Sequence, residues 1–326
     1  MLSRHADAAY WIGRYMERAE ATARAIDVHY HFGLESPLIG ESMRWSSILA
    51  IFGKEEAFEK RHPQGFDERA VLDFFAFDES NPSSIASCLG YARQNARGIR
   101  DQISSEMWET INMLYLDYQK WNVDRVLSGS PFEFFAWVKN GSHLFSGILG
   151  RTLLMGETRD FVDTGRFLER ADQTARILDV KYHDLLPSYA GGGVVEGEAV
   201  GVGGAIDVHG WMAVLKSVGA YEAFRKSYRQ GVSPSRVAWF LILSSDFPAS
   251  VRHCAGRVEG CLRRISGNGG KSPSNDADRE AMRLYFHLND LRAEDIILSG
   301  LHEFLEDIQE RCARIGSSIS ETYLRY

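Results

Sequence analysis

The chain has 326 residues and a formal net charge of −7, and 44% of its residues are hydrophobic, which is enough apolar surface for a complete core. The acidic balance argues against nucleic-acid binding driven by overall charge, and the lack of a run of about 18 apolar residues argues against a membrane span. Four cysteines without a CxxC pair, and a start without an apolar leader, predict reduced thiols in a cytoplasmic protein.

Helical spacing of apolar residues and only eight prolines predict an all-α fold. Ser3 is suited to cap the first helix, and Pro131 is suited to the first turn of a later one. The predicted helices, in chain order, cover 4–33, 38–51, 54–61, 67–77, the stretch from the turn 78–82 to about 104, 105–128, 131–155, 157–186, 275–290 and 293–323.

Part of the first helix occurs twice. Residues 13–31 return as residues 165–183, with 12 of 19 positions identical. Farther along the chain, matches such as Trp45 with Trp211 are 166 apart instead of 152, so the second copy carries an insert, the Gly-rich stretch 190–203. We therefore predict a multi-helix bundle of two tandem pseudo-repeats, 1–155 and 156–326, packed about a pseudo-two-fold axis with the homologous helices near it.

The Gly-rich insert follows a predicted helix, whereas a phosphate-binding loop follows a strand. It is therefore interpreted as a surface loop.

The repeated segments 13–31 and 165–183 share most of their charged residues, whereas the apolar residues along one face of the predicted helix differ between them. Tyr15 becomes Phe167 and Met16 becomes Leu168, but the charges persist. Because a solvated face drifts more readily than a buried one, these charges are predicted to be buried. They form either an ion-pair network that joins the copies or a cluster that binds an anionic ligand or a partner's carboxylate. The main pairs are Arg14/Arg166, Glu17/Glu169 and Arg18/Arg170.

A second candidate is an arginine stripe. Arg93, Arg97 and Arg100 are spaced to share a helix face, and only Arg97 has a counterpart, Arg263, in the second copy. A stripe present in one copy favours a ligand site, because arginine forks bind carboxylates and phosphates bidentately. The alternative is that these arginines pair with Glu17, Glu169 or their neighbours.

No metal, cofactor or nucleophile motif is predicted. Asp27 and His31 are four residues apart, but a di-metal bundle needs Glu-x-x-His on two helices, and the motif occurs once, at 59–62. The Asp27–His31 pair is interpreted as a helix-surface hydrogen bond. The chain has no Gly-x-Ser-x-Gly elbow and no recognisable catalytic cysteine.

Several motifs together resemble the bacterial alpha-E family of all-helical proteins, named for a Glu-Arg motif. They are the opening 1–20, the stretches 81–84, 92–101 and 106–112, and the second copy 165–171. The resemblance covers nearly the whole chain. It implies genomic company with a circularly permuted ATP-grasp protein and a transglutaminase-like protein, and a role in peptide or amide-bond modification.

The function expected from these features is that of a non-catalytic helical partner that binds a peptide or a companion enzyme. One alternative is an enzyme in which Glu17 or Glu169 acts as acid or base and arginines hold a carboxylate or phosphate. Another is a purely structural homo-oligomer. The candidate ligand-binding residues are Arg14, Glu17, Arg18, Arg93, Arg97, Arg100, Arg166, Glu169 and Arg170.

Overall fold

A computed structural model describes residues 1–35, 41–185, 205–267, 272–292 and 300–325. Over these residues the predicted all-α fold is confirmed, with fifteen α-helices and no strand. The Gly-rich insert 190–203 lies outside the described residues. The helices are α1 Ser3–Glu35, α2 Glu41–Phe52, α3 Glu55–Arg61, α4 Glu68–Leu72, α5 Ile85–Gly98, α6 Ser105–Tyr118, α7 Val123–Ser128, α8 Pro131–Thr152, α9 Glu157–Leu185, α10 Ala205–Ser217, α11 Tyr221–Ser227, α12 Pro234–Leu243, α13 Val251–Ile265, α14 Asp276–Asp290 and α15 Leu301–Ile319.

Three predicted helices differ from those observed. The helix predicted to reach about 104 ends at Gly98. The helix predicted over 105–128 is two helices, because Asn122 leaves the helical conformation and its side chain accepts a hydrogen bond from the backbone N–H of Arg125, which starts α7. The last helix begins at Leu301, after Gly300 with a φ of +82°, while residues 293–299 lie outside the described part.

Two π-helical turns extend helices. Asp73–Phe77 continues α4, and Ser320–Leu324 continues α15.

The two long helices α1 and α9 form the centre of the fold and pack against each other. They cross at glycines: a Cβ atom on Gly13 would overlap the carbonyl oxygen of Val162, and one on Gly165 would overlap the carbonyl oxygen of Tyr10. Only glycine permits so close an approach of two helix backbones. The charged residues that follow each glycine are therefore brought against the opposite helix.

The remaining helices surround this pair. On one side α5 and α8 pack on α1, and α6 packs on both of them; on the other side α13 and α15 pack on α9, and α14 packs on both. In addition α2 lies on α9, and α10 lies on α1. The described helices include none that is both long enough and apolar enough to span a membrane.

Candidate functional site

The retained arginines and glutamates meet at the α1–α9 crossing. Arg18 donates from Nε to Glu169 Oε1 at 2.7 Å and from Nη2 to Oε2 at 3.0 Å. Arg170 makes the reciprocal pair, from Nε to Glu17 Oε1 at 2.5 Å and from Nη2 to Oε2 at 2.8 Å. Both pairs are bidentate, the strongest arrangement for an arginine and a carboxylate. We call these four residues, together with Arg14 and Arg166, the Arg–Glu cluster.

The remaining arginines of the cluster, Arg14 on α1 and Arg166 on α9, lie at different distances from the glutamate of the opposite helix. Arg14 Nε lies 2.7 Å from Glu169 Oε2, without hydrogen-bond geometry, whereas Arg166 Nε lies 3.9 Å from Glu17 Oε2. Arg166 donates instead to Asp163 Oδ1 at 3.0 Å and to Ser146 Oγ at 2.9 Å. The cluster is therefore closed around Glu169 and looser around Glu17.

Burial and charge decide the ionisation of this cluster. Glu169 is 1% exposed; burial alone would raise the pKa of its carboxyl group, but attraction to Arg14 and Arg18 and hydrogen bonds from Arg18 and Gln173 lower that pKa to about 2. For Arg166, burial outweighs the attraction of Glu17 and Asp163, and nearby Arg170 adds repulsion, so its pKa is lowered. Glu169 is thus a fixed anion near neutral pH.

Two cavities flank the cluster, on the α8 side and on the α15 side. The first, here called the seam cavity, has a volume of about 390 Å³ and is lined by Glu17, Arg166 and Arg170 together with groups from α8 and α10. The second, the opposite cavity, has a volume of about 310 Å³ and is lined by Arg14, Asp172 and Arg176. At the offset of 152, Arg14 corresponds to Arg166, and Asp172 and Arg176 correspond to Glu20 and Arg24 of the seam cavity. Glu169 and Arg18, the counterparts of Glu17 and Arg170, do not line the opposite cavity.

The helices that close the two cavities differ in chemistry. Buried residues of α8 recur in α15 at a constant offset of 170, as in Phe134 with Phe304, Val138 with Ile308 and Phe145 with Ile315. At the cavity-lining positions of these helices the offset pairs polar groups with small or apolar ones. These pairs are Ser142 with Cys312, His143 with Ala313, and Ser146 with Gly316. The opposite cavity has hydroxyl groups at other positions, Ser317 and Ser320, so the two cavities differ in where their polar groups lie, and of the two only the seam cavity has an imidazole, that of His143.

A third cavity of about 410 Å³, here called the outer cavity, adjoins the seam cavity and shares Arg24 and Gly219 with it. Gly219 has a φ of +67°, and a Cβ atom there would lie 3.3 Å from Arg24 Nη1, so the chain passes closely over this arginine. Lys139 Nζ lies 2.6 Å from Asp27 Oδ2 in the wall, and Lys216 also lines it. Together the two cavities form a groove along α1, the α1 groove, with both signs of charge.

Sequence reasoning missed the groups that α8 and α10 contribute to this groove, notably Ser142, Ser146, Lys139 and Lys216. No motif marks them, because they reach the groove only through the packing of α8 and α10 on α1.

The predicted arginine stripe lies elsewhere. Arg93 donates to Asn112 Oδ1 at 2.8 Å and stacks on Tyr115, with its guanidinium carbon 4.9 Å from the ring centre. Arg100 stacks on Trp108 at 4.9 Å, and Arg97 is exposed. Within the described residues no hydrogen bond or ion pair joins the stripe to the Arg–Glu cluster. The candidate residues thus fall into two separate groups.

The Asp–His pairs are parts of hydrogen-bonded networks. His31 Nδ1 lies 2.8 Å from the carbonyl oxygen of Asp27 and 3.4 Å from its carboxylate, while Asp179 contacts His302 at 2.7 Å and Gln309 at 3.2 Å. Hydrogen bonding to Asp179 raises the pKa of His302. Over the described ranges there is no group of three or more His, Cys, Asp or Glu side chains placed to hold a metal ion.

Comparison with known proteins gives a family and distant relatives. The family model Alpha-E, described as a predicted alpha-helical domain with a conserved ER motif, matches residues 1–324. An uncharacterized protein of Mycobacterium bovis and one of Mycobacterium tuberculosis are each 22% identical over 332 aligned positions, which cover 92% of this chain and 35% of the relative. The chain thus spans about a third of the length of these curated relatives. No solved structure matches it.

Proposed function

This chain belongs to the Alpha-E family, and we propose that it is a non-catalytic binding module that holds a peptide, or an extended segment of a partner protein, in the α1 groove. The observation that carries the proposal is the difference between the two sides of the Arg–Glu cluster. The seam cavity is lined by Glu17, Arg166 and Arg170 of the cluster, whereas the opposite cavity is lined only by Arg14 of the cluster. The seam cavity also has Ser142, His143 and Ser146 at the positions where the opposite cavity has Cys312, Ala313 and Gly316.

We further propose that the module arose from two tandem pseudo-repeats, 1–155 and 156–326. The reciprocal contacts support this origin: Arg18 with Glu169 mirrors Arg170 with Glu17, and Gly13 over Val162 mirrors Gly165 over Tyr10. In this interpretation the cluster is the structural seam that holds the halves in register, and binding evolved on one side of it.

Binding is favoured over acid–base catalysis by the state of the carboxylates. A general acid or base works best with a pKa near the operating pH, whereas the pKa of Glu169 is about 2 and both its oxygens are held by arginines. Glu17 is likewise held bidentately by Arg170. The cluster thus supplies fixed charge next to the groove.

The α1 groove suits a ligand with both a carboxylate and polar N–H groups. Arg24, Lys139 and Lys216 line it as cations, and Glu20, Asp27 and Glu222 line it as acceptors; these residues belong to α1, α8, α10 and α11. A peptide carries this combination in its backbone and termini, and water exclusion within a groove strengthens each such contact.

The partners we propose are a circularly permuted ATP-grasp protein and a transglutaminase-like protein, in a peptide or amide-bond modification system. The proposal draws on the family resemblance and on the relatives, in which a segment like this chain occupies about a third of a longer polypeptide. Co-expression with the neighbouring ATP-grasp protein, followed by size-exclusion chromatography and rate assays, tests the pairing. No complex and no change in that enzyme's rate would contradict it.

The chain provides a matched control for the binding test. Arg24 in the groove forms an i,i+4 pair with Glu20, and its counterpart Arg176 forms one with Asp172 at 2.8 Å on the opposite side. Short peptides with free carboxyl termini are titrated by calorimetry into the wild type, Arg24→Met and Arg176→Met. We expect Arg24→Met to weaken binding about tenfold, the loss of one charge-assisted contact, and Arg176→Met to leave it unchanged.

Equal weakening by both substitutions, or no binding to the wild type, would contradict the groove. The enzyme alternative predicts that Glu17→Gln abolishes a turnover that the wild type performs. The structural-oligomer alternative predicts no ligand-induced thermal shift with any peptide.

A further inference from the structure

A groove of about 470 Å³ lies between α6 and α8, on the face of the first half that points away from the Arg–Glu cluster. We call it the α6–α8 groove. Its apolar lining consists of side chains from successive turns of both helices. They are Met113, Leu114, Trp137, Leu144 and Ile148.

Large apolar side chains are exposed here. Met113 is 53% exposed and Leu144 is 57% exposed, although both belong to regular helices. Beneath them Leu114 closes against Gly141, where a Cβ atom would overlap its side chain, so the two helices approach closely at the floor. Exposed apolar side chains that line one groove mark a binding surface more often than scattered ones do.

The second half of the chain provides an internal comparison. Buried residues of α6 recur in α14 at the same offset of 170 that relates α8 to α15, as in Ile111 with Ala281 and Leu114 with Leu284. Apart from Leu114, the apolar and glycine residues of the groove are replaced by charged or polar ones at this offset. Met113 corresponds to Arg283, Trp137 to Asp307, Gly141 to Arg311, Leu144 to Arg314 and Ile148 to Ser318.

The charged counterparts behave as an ordinary solvated face. Arg283 pairs with Glu280 at 2.7 Å, Arg311 pairs with Asp307 at 2.6 Å, and Arg314 lies 3.6 Å from Glu310, all within their own helices. Helix packing therefore does not require apolar residues at these positions, because the same helix pair in the other half packs with charges there. Packing of α6 against α8 therefore does not explain why the groove positions on these helices are apolar.

The rim of the groove is acidic. Glu106, Glu109 and Asp117 line it, and its lining includes no lysine, arginine or histidine. Asp117 shares an exposed ion pair with Lys120, whereas Glu106 and Glu109 make no ion pair with any described residue. An apolar floor with a carboxylate rim is complementary to an apolar stripe flanked by cations.

We propose that the α6–α8 groove is the docking site of an amphipathic helix from a partner protein, with an apolar stripe flanked by lysines and arginines. Two adjacent helices with an open face form the groove into which a third helix packs. From Glu106 to Asp117 the groove runs for roughly 16 Å at 1.5 Å per residue, which accommodates about three turns. This surface is separate from the α1 groove, so the inference does not rest on the proposed peptide binding.

The test uses a defined probe. A fluorescein-labelled helical peptide of about 14 residues has leucines at heptad a and d positions and lysines on both flanks. Two control peptides carry glutamates in place of the lysines, or the same residues in scrambled order. Fluorescence anisotropy measures binding to the wild type, to Met113→Arg/Leu144→Arg, and to Phe286→Arg. Phe286 is 53% exposed and lies outside the groove on α14, so it is the matched control.

We expect the lysine peptide to bind the wild type and Phe286→Arg alike, and to lose about tenfold or more in affinity for the double variant. Binding should weaken with salt, and the control peptides should bind at least about tenfold more weakly. The double variant should keep its circular dichroism spectrum and its melting temperature, because both side chains are more than half exposed.

Three results would overturn the proposal. They are no binding at about 1 mM lysine peptide, equal binding to the double variant and the wild type, or equal binding of the scrambled peptide. Sedimentation velocity adds a fourth: if the wild type self-associates and the double variant does not, the groove is an interface between copies of this chain.

Discussion

Glu169 provides the sharpest test of the fold, because the cluster closes around its carboxylate. The side chain is 1% exposed and contacts Arg14 and Arg18 from α1. Glu169→Gln keeps the size of the side chain and removes its charge, so it leaves the two arginines without their buried partner. The variant therefore isolates the electrostatic contribution to the α1–α9 crossing.

The magnitude follows from the pKa of Glu169, about 2 in the folded chain against an ordinary 4.5. Because the folded pKa is the lower one, the stabilisation is complete above pH 4.5 and is lost as the pH falls through 2. It is worth on the order of 3 kcal/mol at pH 7 and about 1.4 kcal/mol at pH 3. Because Glu169→Gln also leaves two buried arginines without a charged partner, we expect it to lower the free energy of unfolding by about 3–5 kcal/mol at pH 7.

The measurement is urea unfolding of the wild type and Glu169→Gln at pH 7, 5, 4 and 3, followed by circular dichroism. The control is Glu109→Gln, which removes an exposed carboxylate that has no ion pair with the described residues; it should change stability by less than about 0.5 kcal/mol.

The difference in the free energy of unfolding between the wild type and Glu169→Gln should decrease by about 2 kcal/mol from pH 7 to pH 3. A buried and ionised Glu169 would be refuted if Glu169→Gln were as stable as the wild type at pH 7. It would also be refuted if the difference in the free energy of unfolding between the two proteins did not change with pH.

Three further predictions concern packing, thiols and capping. Gly13→Ala should lower the free energy of unfolding by several kcal/mol, because its Cβ meets the Val162 carbonyl, whereas Gly147→Ala, which has open space, should change it by less than about 1 kcal/mol. Ser250→Ala should cost about 1 kcal/mol in urea unfolding, because the Ser250 hydroxyl caps α13 by accepting from the His253 N–H at 3.1 Å. Ellman's reagent should react with no thiol of the native chain and with all four thiols in guanidinium, because every cysteine is buried. Burial also raises the pKa of the thiols of Cys88, Cys254 and Cys261 to about 12, which disfavours the reactive thiolate.

Sequence reasoning predicted the elements well where local signals are strong. Pro131 begins α8 as predicted, and the helix predicted over 157–186 is observed as Glu157–Leu185. It failed at the breaks between α6 and α7 and before Leu301. Those breaks depend on a single side-chain cap at Asn122 and on one left-handed glycine, Gly300, which periodicity over a longer window averages away.

The candidate site was also predictable in part from the sequence. The retention of Arg14, Glu17, Arg18 and their counterparts predicted burial of a charged face, and Glu17 and Glu169 are indeed 5% and 1% exposed. For the stripe Arg93, Arg97 and Arg100 the sequence favours a ligand site and leaves pairing with Glu17, Glu169 or their neighbours as the alternative. The structure instead stacks Arg93 on Tyr115 and Arg100 on Trp108, because α5 turns those residues towards α6.

The sequence by itself determined that the chain is helical, which residues share a helix face, and that one charged face occurs twice. These are local properties, set by a period of 3.6 residues and by self-similarity at a fixed offset. Only the tertiary structure decided that Arg18 reaches Glu169 and Arg170 reaches Glu17, that Arg166 donates to Ser146, and that Leu144 stays exposed. Those outcomes depend on which faces of distant helices meet, and that is settled by close approach at Gly13 and Gly165 and by the packing of α8 and α15 around them.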